Sequence, residues 1–248
     1  MLEPVRKRSL SEAVFDQLQN EIVRGEIAPG AVLPAERELC DALQVNRGAV
    51  REALKRLEQA GLVSVRQGGG SRVLDFRTSA GLDLLPALVV SDTGRIEIGA
   101  ARSVIELRSA LAPDIARRAA DRRGAACKRR LAKTVARMRE TATDPAALGD
   151  LALEFWSELI QASDNIAYRL AFNCLDRAYA PGRKVFSAVF AEEFSDLASY
   201  AAIAEAVGRR DGDAAEACAR ALVRRGEVAV TNALEMLETA RAEGFPAA

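Results

Sequence analysis

The run from Val32 to Val73, VLPAERELCDALQVNRGAVREALKRLEQAGLVSVRQGGGSRV, admits few folds. After Pro34 a short amphipathic helix is expected, with Ala35, Leu39, Ala42 and Leu43 on one face at helical spacing. Gln44 and Val45 fit a turn. Asn46 is a good N-cap, because its side-chain oxygen can satisfy free backbone donors of the next helix. That helix, expected over Arg47 to Ala60, would bury Val50, Leu54 and Leu57 and stop at Gly61. Its other face carries Arg47, Arg51 and Lys55, each four residues apart, so the three cations line up. Two short strands, Leu62–Arg66 and Arg72–Leu74, should follow around a glycine tip that can come close to a nucleic-acid backbone.

A basic stripe seen alone is usually only a solvated helix face. Here an N-cap, a short turn, a basic outer face and a glycine-tipped hairpin occur in one order. That is the pattern of a winged helix-turn-helix, whose second helix enters a DNA groove.

Net charge says nothing about the partner: Lys+Arg and Asp+Glu both number 35 in 248 residues. Affinity for double-stranded DNA must come from local placement, and Arg37, Arg47, Arg51, Lys55, Arg66 and Arg72 all lie in the candidate head. Histidine is absent, which excludes Ser-His-Asp and Cys-His catalysis, His-ligated zinc and imidazole proton shuttles. The four cysteines are scattered without C-x-x-C spacing and read as buried hydrophobes in a reducing cytoplasm. The start, MLEPVRKRSL, has no apolar core of a signal peptide, and no stretch approaches a membrane span. A cytoplasmic protein with no membrane partner is expected.

Ser9-Leu10-Ser11-Glu12 is a capping box opening a first helix, Ser9 to Arg24, with Val14, Leu18 and Ile22 inward. Pro29-Gly30 leads to a short strand near Val32. The expected organisation is a winged helix-turn-helix domain over residues 1–75 and a linker with a short helix, Ser79–Val90, over 76–92. An all-helical domain follows over 93–248. The fold class is therefore mainly α, with a small β-hairpin wing and a C-terminal bundle. Helices are expected at Arg95–Ala120, Ala125–Thr141, Ala146–Ala162, Ile166–Ala180, Asp196–Gly208 and Asp213–Glu243. Most aromatic residues lie between Phe155 and Tyr200. They form either an ordinary core or, with facing alanines, the wall of an apolar cavity.

Three segments carry a resemblance. The Leu33–Val73 run, the junction DFRTSAGLDLL and the pair FWSELIQASDNIAYRLAFN resemble the GntR family of bacterial transcription regulators, in its FadR subfamily. The resemblance implies a homodimer on a palindromic operator. It also implies DNA contacts from Arg37, from Asn46, Arg47, Gly48, Ala49 and Arg51, and from Gln67 and Gly68 at the wing tip. An arginine can grip guanine O6 and N7 with two hydrogen bonds, while the others position the helix on phosphate. Gly48 and Ala49 replace hydroxyl side chains of the regulator that gives the subfamily its name, and Gln67 replaces a histidine, so the operator sequence should differ.

Most of the subfamily holds a divalent metal with one aspartate and three histidines. The matching positions are Ala152, Trp156, Tyr200 and Arg224 or Arg225, which offer almost no donors, so no metal or other cofactor is expected. The metal-free branch implies a small-molecule effector, a long-chain acyl-CoA or fatty acid, with Arg108 and Gly226 at its site and Ala229 and Ala233 departing from the pattern. Trp156 and Tyr200 join Arg108 and Gly226 as candidate ligand contacts. Arg108 could equally be a structural ion pair with Glu106 or Asp114. A small carboxylate effector, or an architectural DNA binder with no effector, are the alternatives. An enzyme is not expected, since a helical tail of about 155 residues lacks a glycine-rich phosphate loop.

Overall fold

The computed structural model describes residues 9–66, 70–91, 94–141 and 143–243, and the chain divides into two compact units at residue 92. In the first, the Ser9 hydroxyl accepts the Glu12 N–H at 3.1 Å and opens α1 (Leu10–Val23), which buries Val14, Leu18 and Ile22. The strand expected near Val32 is only a single bridge to Arg72. Next comes α2 (Glu36–Leu43), whose Glu38 carboxylate takes the Ala35 N–H at 2.9 Å. Of the apolar face expected there, Leu39 is buried and Leu43 half-buried, but Ala35 and Ala42 are exposed. A methyl group gains little from burial, so the helix turns to seat its leucines and Cys40 instead.

Gln44 closes α2 in the left-handed region at φ 54°, and the Asn46 side chain accepts the Ala49 N–H at 2.9 Å to open α3 (Arg47–Gln59). This helix buries Ala49, Val50, Ala53, Leu54 and Leu57. Gly61 ends it at φ 71°, and β1 (Val63–Arg66) pairs antiparallel with β2 (Gly70–Val73), Val63 opposite Val73 and Arg66 opposite Gly70. Each strand begins one or two residues from its expected start. The head's core joins α1, α2, α3 and the hairpin.

The stretch expected as a linker holds α4 (Phe76–Ser79), a 3₁₀ turn (Leu82–Leu84) and α5 (Leu85–Val89) in place of one helix. Leu84 lies in the head's core and α5 packs on α1, so much of the stretch is bound to the head. Pro86 sits in the first turn of α5, where a missing N–H costs nothing.

The second unit is all helix. The two helices expected up to Thr141 are one, α6 (Ile98–Glu140), running through Pro113 and Gly124. Those residues cost about 3 and about 1 kcal/mol in an isolated helix. Here α7 (Pro145–Ser163), α11 (Leu197–Gly208) and α12 (Gly212–Ala242) all pack along α6, and their contacts override local propensity. Between α7 and α11 run α8 (Ile166–Tyr179) and two short helices not expected, α9 (Arg183–Val189) and α10 (Ala191–Ser195). Asp144, Asn165, Asp196 and Asp211 cap their helices through side-chain oxygens. Among the described residues no helix is long and apolar enough to cross a membrane.

Candidate DNA-reading and ligand sites

On the head, Arg37, Asn46, Arg47, Gly48, Arg51 and Lys55 are exposed. The side chains of Arg47 and Arg51 are 73 % and 66 % exposed, and both lean on Glu36 of α2, at 2.9 Å and 3.3 Å. Exposed pairs of this kind hold by about 0–1 kcal/mol, so a phosphate or a guanine edge can replace the carboxylate. Ala49 differs from its neighbours: it is only 7 % exposed and its N–H is bonded to Asn46. Its side chain belongs to the head's core, not to the outer surface. Gln67 and Gly68, the expected wing-tip contacts, lie outside the described residues.

In the second unit, the four expected ligand residues come from four helices and meet around a fifth. Arg108 of α6 forms an ion pair through Nη2 with Glu193 Oε1 of α10, and its guanidinium carbon lies 5.1 Å from the centre of the Phe190 ring. The Glu193 side chain is fully buried and that of Arg108 is 21 % exposed. Gly226 of α12 lies against the same carboxylate: a Cβ there would collide with Glu193 Oε2 and stand 2.7 Å from the Phe190 ring. Tyr200 of α11 is fully buried edge-on to Phe155, ring centres 4.9 Å apart, and Trp156 of α7 neighbours the Tyr200 hydroxyl.

Four buried polar atoms at this centre, Arg108 Nη1, Glu193 Oε2, Trp156 Nε1 and Tyr200 Oη, lack a well-formed hydrogen bond, although Trp156 faces the Tyr200 hydroxyl and the Gly226 backbone faces the Glu193 carboxyl. Buried polar atoms normally have partners, so the polar groups at this centre are incompletely satisfied by the protein alone. Burial pushes the Glu193 carboxyl above the usual carboxylate range, against the pull of Arg108 and the Gly226 backbone. Burial also raises the Tyr200 phenol, and the nearby Glu193 charge adds to the effect.

Arg108 thus has an ion-pair partner, but neither of those expected. Glu106 is exposed, and Asp114 is taken by Arg118 at 2.5 Å and by the Tyr168 hydroxyl. Glu193 was missed because a lone glutamate in a five-residue helix carries no periodic signal. Ala229 and Ala233 line a groove of about 540 Å³ with Val228, Met236 and, from α9 and α10, Val189 and Glu192.

The metal positions do not fit a cation. Ala152 and Trp156 are buried without a ligating atom, the Tyr200 hydroxyl lies beside a guanidinium, and Arg225 pairs with Asp196 at 3.1 Å. Among the described residues no three His, Cys, Asp or Glu side chains are placed to hold a metal ion.

Comparison with known proteins gives two family matches. The model described as bacterial regulatory proteins, gntR family, matches residues 10–73, and that of the FCD domain matches residues 103–225. The HTH-type transcriptional regulator Mce2R of Mycobacterium tuberculosis is 37 % identical over 236 residues, 95 % of this chain and 96 % of its own. The Uxu operon transcriptional regulator of Escherichia coli is 41 % identical over 95 residues, covering 38 % of this chain and 37 % of its own. A solved structure titled "Lar controls the expression of the Listeria monocytogenes agr system and mediates virulence" shares the fold. Its TM-score is 0.55 at 16 % identity, over 92 % of this chain and 99 % of that one.

Proposed function

The chain belongs to the GntR family of bacterial regulatory proteins, with an FCD domain behind its winged head, and from that premise we propose that it is an effector-responsive regulator of the FadR subfamily. It binds a palindromic operator in double-stranded DNA as a homodimer. Arg37, Asn46, Arg47, Gly48 and Arg51 face the groove and Ala49 sets the helix beneath them, while the family resemblance adds Gln67 and Gly68 as further contacts. Exposed Val228 (51 %) and Met236 (74 %) on α12 are compatible with a partner surface as well as with a ligand's tail.

The observation that carries the effector reading is the half-buried Arg108 with incompletely satisfied polar atoms around it, inside the FCD-matched bundle. A guanidinium held in such a place suits a carboxylate, because ionised hydrogen bonds strengthen where water is excluded. The effector is accordingly an acid, its head on Arg108 with Trp156, Tyr200 and Gly226 around it. An apolar tail would run along the groove of Ala229, Ala233 and Met236, which keeps a fatty acid or long-chain acyl-CoA as the leading class. Packing of Phe155 and Tyr200 at zero exposure favours the second reading, a small carboxylate with no tail.

A chain-length series tests this. Operator fragments selected from genomic DNA are followed by fluorescence anisotropy while fatty acids from acetate to palmitate, and palmitoyl-CoA, are added. Each buried methylene should strengthen release by about 0.8 kcal/mol for a tailed effector. A flat series that still releases DNA supports the small acid. No release by any acid overturns the effector reading.

A further inference from the structure

Glu193 occupies the position that an effector's carboxylate needs, since Arg108 Nη2 is bound to its Oε1. Its hold is incomplete. Nη1 of Arg108 lacks a partner, and Oε2 of Glu193 has only the Gly226 backbone beside it and no well-formed hydrogen bond, so neither the carboxylate nor the guanidinium is used in full. The helix carrying Glu193 is short: α10 spans five residues between Phe190 and Asp196. A helix of that length has almost no cooperative stability of its own and is held by its side chains. Phe190 and Phe194 stack at 5.5 Å and fasten it to the bundle, while Glu192, beside Glu193, lines the open groove.

A buried carboxylate is expensive to keep in place unless every oxygen is satisfied. Released to water, Glu193 would recover its hydration. An incoming acid loses its own hydration but can bring apolar surface into the bundle and can meet the donors that Glu193 leaves unused. We propose that Glu193 is a displaceable internal stand-in for the effector's carboxylate, and that an acid binds by taking Arg108 and expelling Glu193 together with α10. This rests on the carboxylate reading of the Arg108 site. It adds a route for the signal: α10 packs on α7, α9 and α12, so an occupied site and an empty one differ in how these helices are held.

The stand-in competes with the ligand, which weakens the ligand's apparent affinity by the fraction of time that Arg108 is free. Removing its charge should therefore tighten binding, whereas a fixed structural partner would leave affinity unchanged or lower it. Full-length wild type, Glu193→Gln and Glu193→Ala are titrated with sodium hexanoate. The single tryptophan, Trp156, reports occupancy through its emission. The half-saturating concentration should fall by about tenfold in Glu193→Gln relative to wild type.

Glu193→Ala removes the atoms of an acetate, so sodium acetate should raise its thermal midpoint above that in sodium chloride of equal ionic strength and leave wild type unmoved. If Glu193→Ala does not fold, the glutamine variant decides. Hexanoate binding that is equal or weaker in Glu193→Gln overturns the displacement while leaving the carboxylate site standing. Binding by neither protein, with the alanine variant indifferent to acetate, overturns the site itself.

Discussion

The Nε of Arg47 donates to Glu36 Oε2 across 2.9 Å, which ties the first residue of the recognition helix to the first residue of the helix before it. Arg51 reaches the other oxygen of the same carboxylate at 3.3 Å. One acidic side chain therefore holds both candidate base-reading arginines in the free head. It also places a negative charge on the face proposed to meet DNA phosphates.

Glu36→Gln should accordingly tighten DNA binding. The exposed pairs it breaks contribute about 0–1 kcal/mol. Losing an acid at a helix N-terminus costs about 0.3–1 kcal/mol of stability. Anisotropy titrations should give a lower Kd for operator and for unrelated DNA alike, with a slightly lower melting temperature. A weaker Kd would mean that Glu36 organises the arginines for binding instead of restraining them.

Arg47→Ala and Arg51→Ala should each cost about 1–3 kcal/mol of specific affinity if each makes a bidentate base contact. Their side chains are largely exposed and bear none of the core, so circular dichroism and melting should stay close to wild type. Unchanged operator affinity in either variant would remove that residue from the reading surface.

How much of this was legible in the sequence differs between the two units. In the head, Ser9 and Asn46 announce their helices by local hydrogen bonds, and Gly61 ends one by a positive φ, so short-range chemistry locates each boundary within a residue or two. Ala49 could not be placed that way. Which way an alanine faces depends on the neighbouring helix, and its methyl proves to be buried. In the bundle, spacing revealed the long helices but not the continuity of α6 past Gly124, which depends on helices more than twenty residues away in sequence. Arg108, Trp156, Tyr200 and Gly226 do converge, yet the glutamate at their centre has no local signature. Partners separated by 85 residues are set by packing.

Gly61 predicts a stability effect at the junction between the head and the residues after it. Its φ is 71°, and a Cβ would collide with the Ser79 carbonyl oxygen and stand 2.8 Å from its carbon. The Ser79 hydroxyl meanwhile donates to the Gly61 carbonyl at 2.6 Å. Gly61→Ala should therefore lower head stability by about 1–3 kcal/mol from backbone strain, and more if α4 is pushed off. Ser79→Ala, which only removes the hydrogen bond, should cost about 1 kcal/mol. Denaturant melts that rank the two variants the other way would show that α4 yields freely.

Cys127 is fully buried on α6, and burial pushes its thiol up to about 11. At pH 8 almost none of it is thiolate, the form that alkylates. Iodoacetamide should modify the half-buried Cys40 and Cys218 first and leave Cys127 untouched until the bundle unfolds. Peptide mass spectrometry over a denaturant series would follow this directly. Early labelling of Cys127 in native buffer would mean that α6 and α7 separate far more often than their packing implies.

Asp114 gives the last expectation, a dependence of stability on acid. Burial alone would raise its carboxyl, but the Tyr168 hydroxyl and the Arg118 guanidinium outweigh burial and hold it below the ordinary value of 3.8. A carboxylate with a depressed folded pKa contributes stability that is fully present above its unfolded pKa. That stability is lost as pH falls from there through the folded pKa. Tyr168→Phe removes the largest lowering contact and the hydrogen bond between α8 and α6. It should cost about 1 kcal/mol at neutral pH, and less as pH falls below the unfolded pKa through the depressed folded one, where Asp114 becomes protonated in wild type as well. Urea midpoints of the two proteins should therefore draw together in acid. Parallel curves down to the lowest pH at which both still fold would mean that Tyr168 stabilises the bundle by packing, with no electrostatic link to Asp114.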